Sequence, residues 1–308
     1  MRRAAERLRG IALRTPLVRF GPKESGIYLK SEVGQPTGSF KIRGVYNWAA
    51  GLSPDEVKRG FSTFSAGNTA LALAHAAKTY KTTCRSILPD YAPAVKVQAL
   101  SDLGVETVLV PFEKLADYIF SAGWKQEPYA FLHPWTAPAM IAGHATIGLE
   151  IIEDLPDVES VYVPVGGGAL ASGVGCAIRA FNPATRIVGV QTESYPALAQ
   201  SFRAGRPVWV EPKPTICDGV AVPFATDQLF SLLRETVDCV AVVSEAQVRS
   251  SLRRLSLEAK VVAEGAGALA LAAALDTPFD ERGVTVCLVS GGNILRQELE
   301  ELLGPRPA

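Results

Sequence analysis

The chain has 308 residues, 48% of them apolar and 20% charged, with 31 basic and 31 acidic side chains and no formal net charge at pH 7. That is ample apolar material for a core in two modest domains. The charge balance, free of like-charge blocks, recommends neither nucleic acid nor an anionic membrane as partner, and points to a small-molecule ligand. The five cysteines (Cys84, Cys176, Cys217, Cys239, Cys287) include no Cys-x-x-Cys pair, and the start "MRRAAERLRG" lacks the apolar core of a signal peptide, so the expected location is the reducing cytoplasm. The most apolar window, 261–275, is too short to span a bilayer and carries Glu264, so no transmembrane segment is expected.

In chain order, short apolar runs alternate with longer helical patterns. Strands are predicted at 27–30 ("IYLK"), 61–65 ("FSTFS"), 84–88 ("CRSIL"), 105–110 ("VETVLV"), 160–165 ("SVYVPV"), 186–190 ("RIVGV") and 284–290 ("VTVCLVS"), with helices between them. The Ala-rich stretch 68–80 opens at Asn68, a good N-cap, and 169–181 opens after a glycine triplet. Each of these helices follows a strand end, the signature of an α/β fold around mostly parallel sheets. Four prolines within 206–223 predict rigid surface structure that turns at Asp218 and Gly219.

Four stretches carry candidate chemistry. In "VYVPVGGGALASG" (161–173) an apolar run ends in Gly166, Gly167 and Gly168 and gives way to a helical pattern. Bare amides at a helix N-terminus form an anion site, and glycines let a phosphate approach without Cβ clash. A dinucleotide or a single phosphate would fit, although Glu193, the candidate ribose acid, stands 27 residues after Gly166, far for that role. In "QPTGSFKIRG" (35–44), Lys41 lies between Phe40 and Ile42, where lost solvation would free its amine as base or nucleophile; a packed stem with a solvated head is the alternative. In "STFSAGNTALA" (62–72), Ser65, Ala66, Gly67, Asn68 and Thr69 link a strand to a helix and expose amides suited to a carboxylate, unless Asn68 merely caps. In "CLVSGGN" (287–293) a buried-looking strand delivers Ser290 to a second glycine pair, which could equally be a simple turn.

Several motifs occur together and in order: "TPL" (15–17), "YLKSEVGQPTGSFKIRG" (28–44), "SAGN" (65–68), "HPWTAPAMIAGHATIGLEI" (133–151), "VPVGGGALASG" (163–173), "DGVAV" (218–222) and "SGGN" (290–293). With them the chain resembles the fold type II pyridoxal-phosphate enzymes, most closely the threonine/serine dehydratase and serine racemase group. The resemblance implies a two-domain, three-layer α/β/α fold of the tryptophan synthase β type, with mostly parallel twisted sheets. It implies a large cofactor-binding domain from residues 1–44 and 141–308, and a small domain from residues 45–140. It also implies pyridoxal 5'-phosphate as cofactor, a homodimer, and α,β-elimination. The expected activity is that of an ammonia-lyase (dehydratase) converting a 3-hydroxy L-amino acid to a 2-oxo acid and ammonia. β-Replacement of the threonine-synthase type is the alternative, with racemisation and NAD-dependent oxidoreduction behind it.

By the same resemblance Lys41 forms the Schiff base and acts as catalytic base, and Phe40 packs beside the cofactor ring. Asn68 bonds the phenolic oxygen, and the amides of Gly166, Gly167, Gly168, Ala169 and Leu170 hold the phosphate. Glu264 lines the nitrogen side of the ring and Ser290 faces the pyridine nitrogen. The substrate carboxylate is implied to dock on Ser65, Ala66, Gly67, Asn68 and Thr69. A neutral hydroxyl at Ser290 does not hold the ring nitrogen protonated, which suits elimination better than a long-lived carbanion.

The chain departs from the family pattern at several positions. Ala66 stands where the racemases place a serine and has no proton to exchange, so racemisation is not expected. Thr69 and Leu71 replace a histidine and a glutamine, which implies a less polar, roomier pocket and a substrate bulkier than threonine, such as an aryl-serine. The usual metal ligands fall on Gln191 and Ala197, neither a hard-cation anchor, so no divalent metal is expected. Gly265 replaces a proline. The three histidines, His75, His133 and His144, are too widely spaced for a metal pattern and are expected to be structural.

Overall fold

The computed structural model describes residues 1–304. The chain begins with α1 (Arg2–Arg7), β1 (Leu17–Phe20), β2 (Ile27–Ser31), α2 (Lys41–Ala49), α3 (Pro54–Lys58), β3 (Phe61–Thr63), α4 (Asn68–Tyr80) and β4 (Cys84–Pro89). It continues through α5 (Ala94–Asp102), β5 (Val105–Val110), α6 (Phe112–Phe120), β6 (Ala130–Phe131), α7 (Pro138–Asp154), β7 (Ser160–Pro164), α8 (Ala169–Phe181) and β8 (Arg186–Thr192). The last elements are α9 (Ala197–Ala204), α10 (Asp227–Thr236), β9 (Cys239–Val243), α11 (Glu245–Glu258), α12 (Gly265–Leu275), α13 (Phe279–Arg282), β10 (Thr285–Val289) and α14 (Arg296–Leu303). Every predicted strand forms, and the helices predicted at 68–80 and 169–181 have those bounds. Helices lie on both sides of parallel sheets, as the expected α/β class requires.

The chain divides into two compact units. The larger takes residues 13–40 and the chain from His144 onward, and holds a six-stranded sheet in the order β1-β2-β10-β7-β8-β9. Only the β1–β2 pair is antiparallel. Its central helix, α12, has the sequence "GAGALALAAAL" and is buried from Gly265 through Ala274, packed on β7, β8, β9 and β10. A helix apolar on all sides has no face for water, so it belongs inside a core.

The smaller unit takes residues 2–12 and 41–143 and holds a four-stranded parallel sheet in the order β5-β4-β3-β6. Its core joins Ile42, Val45, Trp48, Phe61, Leu73, Leu88 and Leu132. Two boundaries differ from the sequence expectation, which put residues 1–44 in the large domain. Leu8 is buried in the smaller unit's core, and Arg7 bonds Asn47, so the N-terminal helix belongs there. The first boundary falls between Phe40 and Lys41, because α2 packs on α4 from its first turn. In the second half of the boundary, Gly143 of α7 lies against the Arg43 carbonyl so closely that a Cβ would overlap it.

Candidate active site

In the larger unit β7 runs through Val165 into the glycine triplet, and α8 starts at Ala169 with Gly168 as its N-cap. Gly168 has φ +97°, and a Cβ there would stand 2.7 Å from Leu233 Cδ1; a Cβ on Gly166 would stand 3.0 Å from Val220 Cα. Both positions therefore exclude larger residues. No side chain caps α8 and its first turn has no acidic residue, so the first-turn N–H groups have no acceptor of the helix's own. The fully buried Ser172 hydroxyl, one turn in, has no hydrogen-bond partner. Glu193, the candidate ribose acid, instead accepts the Glu245 N–H at the start of α11.

The segment before Lys41 is laced to the turn after β10. Phe40 N–H donates to the Ser290 carbonyl at 3.0 Å and Gly292 N–H to the Gly38 carbonyl at 2.9 Å, with Ser39 bridged to Gly291 between them. Ser290 and Ser39 are buried, and the Ser39 hydroxyl has no partner. Upstream, the buried Glu32 carboxylate accepts from Thr15 Oγ1 at 2.8 Å and from Gln35 Nε2 at 2.9 Å, fixing the start of the same segment. The Phe40 ring meets His144 edge to face at 4.7 Å. Glu264 is the N-cap of α12, and its Oε1 lies over Gly219 and Gly291. A Cβ at Gly265 would overlap the Ile216 carbonyl, which explains why the proline of the family pattern is absent here.

In the smaller unit Lys41 is half-buried at the first position of α2, followed by the fully buried Ile42. The Ser65–Thr69 turn follows β3. Ser65 N–H donates to Ser86 Oγ at 3.0 Å, and that hydroxyl returns a bond to the Ser65 carbonyl at 2.8 Å. Ser65 Oγ accepts the Gly67 N–H. The expectation that Asn68 caps α4 is corrected: Gly67 is the N-cap, no side chain caps the helix, and Asn68 is its first residue. Gly67 has φ −127° and ψ −140°, outside the usual cap region. Thr69 is buried, and Ala66 and Leu71 are half-buried and pack against the unit's core.

Sequence reasoning missed the aromatic group beside this turn. Parallel neighbours β3 and β6 leave the sheet at the same edge, β3 into Phe64 and the Ser65 turn, β6 into Leu132, His133 and Trp135. Phe64 lies 5.3 Å from both His133 and Trp135, and Trp124 lies 4.8 Å from His133. His133 Nδ1 accepts the N–H groups of Trp135 and Thr136, so its proton sits on Nε2, and burial lowers its pKa to about 4. The signal was the run of aromatic residues at 124–135 (Trp124, Tyr129, Phe131, His133, Trp135).

These residues suit pyridoxal phosphate. The glycine turn presents backbone without Cβ atoms, no side chain caps α8, two buried hydroxyls (Ser39, Ser172) lack partners, and Lys41 carries an amine. At the positions expected to hold no metal, Gln191 Oε1 is engaged by the Leu198 and Ala199 N–H groups. Among the described residues no group of three or more His, Cys, Asp or Glu could hold a metal ion, and no helix is long and apolar enough to cross a membrane.

Comparison with known proteins follows the same lines. An L-threonine ammonia-lyase of Thermotoga maritima is 47% identical over 272 residues, covering 87% of this chain and 67% of the relative. The catabolic L-threonine dehydratase TdcB of Escherichia coli K12 is 37% identical, covering 98% and 94%. The structure of maize serine racemase superposes with a TM-score of 0.89 at 30% identity, covering 97% of this chain and 94% of that one. The family described as pyridoxal-phosphate dependent enzyme matches residues 8–291. With residues 8–291 matched and relatives 37–47% identical over most of the chain, the protein belongs to the pyridoxal-phosphate dependent enzyme family.

Proposed function

We propose that the protein is an ammonia-lyase that converts a 3-hydroxy L-amino acid of the serine and threonine type into a 2-oxo acid and ammonia. The observation that carries this reading is that the chain has both an uncapped glycine turn before α8 and an uncapped Ser65–Thr69 turn before α4, together with Lys41 at the start of α2. The 47% identical relative that bears the name L-threonine ammonia-lyase supports it. Bound pyridoxal phosphate supplies an electron-withdrawing ring that acidifies the α-hydrogen of an amino acid attached to it.

The chain's own residues do the rest. The amides of Gly166 to Leu170 bind the phosphate, and Asn68, Glu264 and Ser290 orient the ring, with Phe40 packed beside it. The N–H groups of the Ser65–Thr69 turn hold the substrate carboxylate. Lys41 Nζ would anchor the cofactor and would hold the proton that leaves Cα. The β-hydroxyl would leave as water with that proton, and the released enamine would be hydrolysed by water to the 2-oxo acid and ammonia. Ala66 offers no second proton donor, which favours elimination over racemisation.

The finer reading is a preference for a β-substituent larger than methyl, with L-threo-phenylserine as its representative. Its support is the turn itself, whose half-buried residues Ser65, Ala66 and Gly67 are all small while Thr69 is buried. A 2-oxo acid assay of the holoenzyme over L- and D-serine, threonine and phenylserine tests both levels. Release from at least one L-3-hydroxy amino acid is expected; formation of D-serine without 2-oxo acid would contradict the reading.

A further inference from the structure

We propose that the aromatic wall of Phe64, His133 and Trp135, backed by Trp124, receives the group on the β-carbon of the substrate and selects a flat apolar one. The inference rests on the assignment of the Ser65–Thr69 turn to the substrate carboxylate. In parallel α/β sheets ligands bind beyond the carboxyl ends of the strands. Phe64 directly precedes the Ser65 turn, and Leu132 directly precedes His133. The two strand exits are held side by side by Thr63 Oγ1 donating to the Leu132 carbonyl at 2.9 Å and Leu132 N–H donating to the Ser62 carbonyl at 2.8 Å. A carboxylate on the turn therefore places the rest of an amino acid next to the wall.

The wall is built for contact. Phe64 is buried, but His133, Trp135 and Trp124 are each only partly buried, so these rings keep exposed surface. Packing alone would favour closing such rings into the core, as Phe61 is closed. His133 is fixed by two backbone N–H groups, carries no charge at neutral pH, and directs Nε2–H away from them. A neutral imidazole with aromatic neighbours accepts an aryl group edge to face and offers a methyl group much less surface. The adjacent Ala66 adds no bulk against it.

The test compares wild-type, Trp135→Ala and Trp135→Phe holoenzymes. It measures kcat/KM for L-threonine and L-threo-phenylserine, and the dissociation constants of unreactive L-phenylalanine and L-2-aminobutyrate by the change in cofactor absorbance. The expected result is a fall of about tenfold or more in the phenylserine-to-threonine ratio in Trp135→Ala, largely restored in Trp135→Phe, with a parallel loss of L-phenylalanine affinity relative to L-2-aminobutyrate. An unchanged ratio, even with lower rates or a lower Tm, overturns the proposal and leaves Trp135 a packing residue. A wild-type enzyme that releases no 2-oxo acid from either substrate contradicts the reaction instead, and the ratio of the two dissociation constants then decides the wall.

Discussion

Asn293 donates from Nδ2 to the Thr37 carbonyl at 2.9 Å, and its side-chain oxygen fills the space that a Cβ on Gly38 would need. Gly38 has φ +70°, so the segment leading to Lys41 is held both by a hydrogen bond and by a conformation that glycine alone takes easily. Gly38→Ala is expected to lower the unfolding free energy by about 1–2 kcal/mol from backbone strain alone, with a further loss from the overlap. Urea unfolding of Gly38→Ala, Asn293→Ala and the double variant measures it. The double variant should lose less than the sum, because removing Asn293 removes the overlap.

Gly168 sits at the glycine turn before α8 with φ +97° and Leu233 Cδ1 at 2.7 Å from a would-be Cβ. Gly168→Ala should shift the N-terminus of α8 and weaken pyridoxal-phosphate binding by about tenfold or more, since the left-handed conformation costs an alanine about 1–2 kcal/mol. Absorbance titration of the apoenzyme gives the affinity directly. Equal affinity in the variant would mean that the turn does not hold the phosphate.

Lys30 is fully buried, with Glu150 Oε2 at 2.7 Å, the Thr15 carbonyl at 2.5 Å and Asp154 at 4.0 Å. Glu150→Ala takes away its nearest carboxylate and should destabilise the fold by about 3–5 kcal/mol, the usual result of uncompensating a buried charge. Lys30→Met combined with Glu150→Leu should recover most of that loss. Denaturant midpoints of the three variants decide the matter, and a double variant no better than Glu150→Ala would count against the ion pair.

His133 gives the fold an acid limit. Its pKa falls from 6.5 to about 4 through burial, so below about pH 6.5 the unfolded chain takes up a proton that the folded chain refuses. The stability held by this group is complete above that pH and declines as pH drops toward about 4. Tm measured between about pH 7 and pH 4.5 should fall less steeply in His133→Gln than in the wild type. Identical slopes would show that folding does not shift the titration of this ring.

Much of this was legible in the sequence because strands and glycine turns have local causes. The runs 105–110 and 160–164 are bounded by turn-formers, and the start of the helix at 169–181 is marked by the glycine triplet before it. The misses have physical reasons too. β6 is only two residues long, and β1 has two exposed residues among its four, so neither shows a periodic pattern. Asn68 looked like a cap because its side chain can serve as one, but Gly67 takes the cap position and leaves Asn68 in the helix. The contact of Phe64 with His133 and Trp135 depends on β3 and β6 being neighbours, a pairing between residues about seventy positions apart that no local pattern encodes. Leu8 joined the smaller unit for the same reason.

The most direct test of the account concerns Lys41. Borohydride reduction of the yellow holoenzyme, followed by digestion and mass spectrometry, should place the reduced cofactor on the peptide that carries Lys41, and Lys41→Ala should release no 2-oxo acid from any 3-hydroxy amino acid that the wild type consumes. Cofactor fixed to another lysine, or full turnover in Lys41→Ala, would contradict it.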